Sequence, residues 1–154
     1  MESSSSCFDE AARAGEIEKV KELVNRGENV NAKSNGETAL VLAAYDGELD
    51  VVQYLVDAGA DKEAKNNDGE TALIVASRNG HLDVVRYLVD AGADKEAKST
   101  DGSTALMLAA GQDVVQYLVD AGADKEAKNN DGETALIVAS RNGHLDVVRY
   151  LVDA

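Results

Sequence analysis

His81, His144 and Cys7 are the side chains in this sequence best suited to hold a metal or attack a substrate. The two histidines occupy equivalent places in segments 50–91 and 113–154, which are identical at all 42 positions. If segments of this kind stack at ordinary helix-packing distances, two steps apart, the histidines stand roughly 20 Å from each other and cannot share a metal. Each reads instead as a turn residue at the start of a helix. Cys7 beside Phe8 reads as a small apolar group, and no Cys, His and acid cluster accompanies it. The "DGE" within "NNDGET" resembles part of a calcium loop. Setting Gly69 on the loop glycine, however, puts Ala64 and Val75 where the terminal carboxylates are required. No catalytic, metal or cofactor site is supported, and the chain reads as a non-enzyme.

The elements that carry these residues follow from composition and repetition. The chain has 154 residues, 44% of them apolar, but aromatics make up only 4% and Trp and Pro are absent. The core must therefore be aliphatic. A single cysteine excludes an internal disulfide and suits a reducing compartment. No basic leader or long apolar run occurs, so a soluble intracellular, cytoplasmic protein is expected. A net charge of −14 repels phosphate backbones and anionic lipid, excluding nucleic acid and membrane as partners and favouring a basic protein surface. "SSSS" at Ser3–Ser6 reads as a frayed end.

"TAL" begins at Thr38, Thr71, Thr104 and Thr134, with periods of 33, 33 and 30. Within a unit, Asp68-Gly69 sets a turn and Thr71 an N-cap, ahead of a short helix with Leu73, Ala76 and Ser77 on one face. Gly80 ends that helix. A second runs from about Leu82 to Ala91 and stops at Gly92. Its polar residues Asp83, Arg86 and Asp90 form one narrow stripe, so neighbouring units must cover the rest. Tyr54, Tyr87, Tyr117 and Tyr150 recur as packing residues, and the "KEAK" segments read as solvated loops.

A unit of turn plus two antiparallel helices, with "DGETAL" and "NGHLDVVRYLVDAGAD", resembles the ankyrin repeat family over roughly residues 7–154. The resemblance implies an all-α ankyrin-repeat solenoid. It divides the chain into an N-terminal tail (1–6), a capping repeat (7–33) and repeats 34–65, 66–98, 99–128 and 129–154. In the capping repeat Lys19 and Glu22 stand where later units carry apolar residues, so one side faces water. The family's Thr-Pro-Leu-His start is altered to Thr71-Ala72-Leu73-Ile74, with Val41, Met107 and Ile137 also replacing the histidine.

The resemblance also implies that a protein partner binds the concave groove of turn tips and first helices. Carried over by position, that surface holds Glu37, Tyr45 and Asp46, then Asn67, Asp68, Glu70, Arg78 and Asn79. The third and fourth units add Asp101, Ser103 and Gln112, then Asn130, Asp131, Glu133, Arg141 and Asn142. Tyr45 is either a binding hot spot or an idle surface tyrosine. Two classes stay open: a module for a basic partner, and a structural or engineered scaffold without an evolved ligand, which the identical grooves of the second and fourth units favour.

The third unit is three residues short. Pairing Gly111 and Gln112 with Arg78 and Asn79 removes the "GHL" turn. That alignment predicts a second helix starting near Val114, about a turn late, with Asp113 and Gln116 as its capping box. On this reading, inserting Gly-His-Leu between Gln112 and Asp113 restores stability. At the other end, Val147, Tyr150 and Leu151 are expected to lack cover, making fraying of the last repeat or self-association through it the expectation.

Overall fold

The computed structural model describes residues 4–154, and every element in it follows the repeat. Helices α1 (Ser4–Arg13), α3 (Ala39–Asp46), α5 (Ala72–Arg78), α7 (Ala105–Leu108) and α9 (Ala135–Arg141) form one layer. Helices α2 (Ile17–Asn25), α4 (Leu49–Asp57), α6 (Leu82–Asp90), α8 (Gln112–Asp120) and α10 (Leu145–Asp153) form the other. A two-residue pair, β1 (Lys33–Ser34) and β2 (Glu37–Thr38), makes the first turn tip an antiparallel hairpin. The architecture is the all-α solenoid expected. Ser4 to Ser6 belong to the first turn of α1 rather than to a tail, with the Ser6 hydroxyl reaching Glu10, while Ser3 lies outside the described residues.

The threonine caps explain where first helices start. Thr38 and Thr71 are extended and their hydroxyls accept hydrogen bonds from the Val41 and Ile74 N–H groups, 3.3 and 3.4 Å away. Gly92, at φ +90°, takes the left-handed step that stops α6. Between layers the core is aliphatic: Leu40, Leu55, Leu73, Leu88 and Leu118 are fully buried. Among the described residues no helix is long and apolar enough to cross a membrane.

The "KEAK" segments do more than sit in solvent. Lys33 donates to the Lys65 carbonyl, Lys65 to that of Lys98, and Lys98 to that of Lys128, at 2.6, 2.7 and 2.8 Å. Glu63 and Glu96 carboxylates accept from the Asp94 and Asp124 N–H groups of the following repeat. Long stems let these charges cross to the next unit while their heads remain wet. The tyrosines likewise bridge units: Tyr117 and Tyr150 donate to Asp90 and Asp120, and Arg86 lies over the Tyr117 ring.

In the third repeat the missing residues come from the end of the first helix, not from the turn. Helix α8 starts at Gln112, the counterpart of Leu82, so it begins on time and at full length. Helix α7 is one turn long, and Ala109 leaves it at ψ 126°. The residues lost are thus the counterparts of Ala76, Ser77 and Arg78. Energetics select this outcome. Starting α8 late would uncover Val114 and Val115, both essentially inaccessible, at about 1.5–3 kcal/mol each. The last turn of α7 would have buried only an alanine and a serine. Gly111 is the N-cap of α8 rather than the end of α7, with φ 89° and ψ 144°, a region essentially reserved for glycine. Asp113 bonds the adjacent Val114 N–H, as Asp83 does Val84, and no side chain caps α8. Thr104 Oγ1 is left buried without a hydrogen-bond partner.

At the far end the exposed apolar residues are not those expected. Val147 and Leu151 are buried and Tyr150 half-buried, because they point back at the preceding repeat. Ile137, Leu145 and Val152 point outward and are 47%, 60% and 65% exposed. Ile74, the counterpart of Ile137, is 1% exposed, covered by the third repeat, and Leu82 and Val89, the counterparts of Leu145 and Val152, are half-buried.

Candidate functional site: the turn-tip groove

The second and fourth turn tips are each built by their first asparagine. The Asn66 carboxamide oxygen accepts from the Asp68 and Glu70 N–H groups at 3.0 and 2.9 Å, and Asn129 does the same for Asp131 and Glu133. These loops fold on themselves because Asn mimics a backbone turn. Successive tips are then stitched together. The Thr100 N–H donates to the Asp68 carbonyl and the Asn130 N–H to that of Asp101, both at 2.9 Å. Asn67 and Asn130 add carboxamide bonds to the Asn35 and Thr100 carbonyls.

This stitching sets Asp68, Asp101 and Asp131 in register along the tips, all exposed. No ion pair among the described residues reaches any of them. Asp101 accepts from the Ser99 hydroxyl and the Ser103 N–H, which hold its carboxyl below the usual range. At the first tip, burial first and then the charges of Glu70 and Asp68 push the Glu37 carboxyl upward.

Three predicted acids are spoken for. Glu70 is buried, and Arg78 grips both its oxygens at 2.7 and 3.0 Å. Arg141 donates to Glu133 Oε1 while Asn129 donates to Oε2, and Asp46 pairs with Arg13 at 2.9 Å. The two Arg–Glu pairs are identical in sequence but not in burial, the Glu70 side chain being 4% exposed and Glu133 17%. Arg78→Ala should therefore cost about 1–3 kcal/mol by stranding a buried carboxylate, and Arg141→Ala less than about 1 kcal/mol. Urea melts of the two variants compare them directly. Equal losses would contradict the burial argument.

Most of the predicted residues fall into three adjoining depressions, while Asp46, Asn79 and Asn130 line none of them. Glu37, Tyr45, Asp68 and Arg78 share the first, about 310 Å³, with Arg13 and Leu42. Asn67, Asp68, Glu70, Arg78 and Asp101 line the second. Asp101, Ser103, Asp131, Glu133, Arg141 and Asn142 border the third. Tyr45 is 43% exposed, and its carbonyl accepts from His81 Nε2 at 2.9 Å, a tie from one repeat to the next. Asn79 folds back on the Val75 carbonyl. Gln112 lies outside all three depressions, since it is the counterpart of Leu82 in α8 and not of Asn79. Arg13, Leu42 and Leu108 are lining residues the sequence reading passed over. Extending the 33-residue register into the first repeat would have found Arg13, the counterpart of Asp46. Among the described residues no group of three or more His, Cys, Asp or Glu is placed to hold a metal ion.

A family model described as "Ankyrin repeats (3 copies)" matches residues 8–99 and 93–154. A stretch of 60 residues is 40% identical to protein phosphatase 1 regulatory subunit 27 of Homo sapiens, and equally to that of Mus musculus. The match covers 38% of this chain and spans only 39% of the length of each relative.

Proposed function

Because the chain belongs to the ankyrin repeat family, whose repeats serve protein–protein interaction, we propose that it is a non-catalytic module holding a basic protein segment along its turn-tip groove. The observation that carries this reading is the row of exposed carboxylates at Asp68, Asp101 and Asp131, none in an ion pair among the described residues. Repeats packed about 10 Å apart match every third residue of an extended peptide, at about 3.3 Å per residue. Tyr45, exposed beside Glu37, supplies an amphipathic contact at one end of the row.

The test is a binding titration with a basic partner at several salt concentrations. Protein phosphatase 1 is a defined protein to titrate beside it, since the relatives are by name its regulatory subunits. Affinity should fall steadily between about 0.05 and 0.3 M salt as the Debye length shortens. Tyr45→Ala should weaken binding about ten-fold or more, the loss of a buried aromatic anchor. Because Glu37 loses its proton at a higher pH than a free carboxylate, affinity should also rise as pH is raised through that point. Binding indifferent to salt and to Tyr45 would sink the reading.

A second contact surface is favoured by Ile137, Leu145 and Val152. The same face of the second repeat is covered by a repeat, so association of two copies through this end is the reading they support.

A further inference from the structure

We infer that the gap left by the missing last turn of α7 is an anchor pocket for one large apolar side chain of an extended partner segment, with a basic residue on each side of that anchor. The inference rests on the groove reading and deepens it at one place. The gap is a cavity of about 360 Å³, more enclosed than the depression beneath Tyr45, and within the range of sites that bury a ligand group. Its floor is apolar, formed by Met107, Leu108, Val138, Ala139 and Val147.

Identical sequence narrows the cause to the neighbours. Val138, Ala139 and Val147 are 7%, 5% and 5% exposed, where their counterparts Val75, Ala76 and Val84 are 1%, 0% and 0%. The second repeat is covered on both faces and the fourth on one, but Val138, Ala139 and Val147 line the cavity against the shortened helix, so the lost turn contributes to their exposure. His144 also stands exposed at the rim. Its counterpart His81 bonds the Tyr45 carbonyl, and the residue equivalent to Tyr45 is among those the third repeat lacks.

The rim sets the partner's charge. Arg78 and Arg141 are neutralised by Glu70 and Glu133, which leaves Asp101 and Asp131, one from each of the two repeats that meet at the cavity, as the carboxylates in its lining with no ion pair among the described residues. An apolar anchor between two basic residues is complementary to that arrangement. A large aromatic gains most, since it buries about 150–250 Å² with little loss of side-chain freedom.

Two labelled peptides provide the test: Gly-Arg-Gly-Trp-Gly-Arg-Gly, and the same peptide with Ala in place of Trp. The Trp peptide should bind at least ten-fold tighter and shift the methyl resonances of Met107, Leu108 and Val138. Restoring the turn, by inserting Ala-Ser-Arg between Leu108 and Ala109, should abolish that preference, while the Ala peptide weakens only by the repulsion of the added arginine, which has Ser103 where Arg78 has Glu70. Ala110→Phe, which fills the gap from its rim without altering chain length, should act likewise. Equal binding of the two peptides, or a preference that survives both variants, overturns the anchor pocket. Asp68→Asn and added salt should weaken both peptides. If they weaken neither, or if neither peptide binds, the groove reading falls and the pocket with it.

Discussion

Inserting Ala-Ser-Arg between Leu108 and Ala109 is expected to raise the melting temperature by roughly 3–10 °C. The inserted residues continue α7 into a second turn, where Ala76 and Ser77 of the second repeat are inaccessible and Ser77 Oγ bonds the Leu73 carbonyl. They cover Val138, Ala139 and Val147, and they return to His144 the backbone carbonyl that its counterpart uses. Together these gains are worth about 1–3 kcal/mol, at about 2–4 °C per kcal/mol for a chain of this size. The other insertion, Gly-His-Leu between Gln112 and Asp113, should raise the melting temperature by less, because it gives α8 the start that α6 has but places Gly111, a weak helix former, at the Arg78 position of the lengthened α7. Calorimetry on both variants decides between them. Should the second insertion stabilise and the first not, the turn rather than the helix is what the third repeat lacks.

The second large effect is expected at the outer face of the last repeat. The chain should associate with rising concentration, and the variant Ile137→Glu, Leu145→Lys, Val152→Glu should sediment as a monomer at every concentration with its helix content unchanged. Each of these side chains stands to gain up to about 1.5–3 kcal/mol on full burial, and all three lie on one face. Replacing them removes that gain without touching Val147 or Leu151, which hold α10 to the rest of the stack. A wild-type chain that remains monomeric to several hundred micromolar would show that this face is left to water.

The repeat, its helix pairs and its threonine caps were legible in the sequence because a period of 33 and the residues that start and stop helices are local signals. What was misread needed energies or neighbours. Letter-by-letter alignment of "AAGQDVV" treats every gap position alike, so it deleted a turn. The fold instead deletes the three positions whose burial matters least. The second helices are apolar on nearly all sides, and periodicity therefore could not say that Leu145 and Val152 face outward while Val147 and Leu151 face inward. Charge pattern alone marked "KEAK" as solvated, since it carries no information about where a long lysine stem reaches. In the groove, position within the repeat found Glu70 and Glu133 but not that each is held by an arginine eight residues on. Gln112 was misplaced as a direct result of the misplaced gap.

The lysine rungs have a mechanical corollary. Each ammonium crosses a single boundary, to the carbonyl of the equivalent lysine in the next unit, and each tyrosine–aspartate bond does the same. Tension applied to the two ends is therefore carried in series, with every boundary bearing the full load and none sharing it. Such a chain should extend as a staircase rather than in one rupture, each step releasing one unit of about 33 residues, on the order of 100 Å of slack. The boundary beside the one-turn helix should give way at the lowest force, so the first step originates inside the stack and not at a terminus.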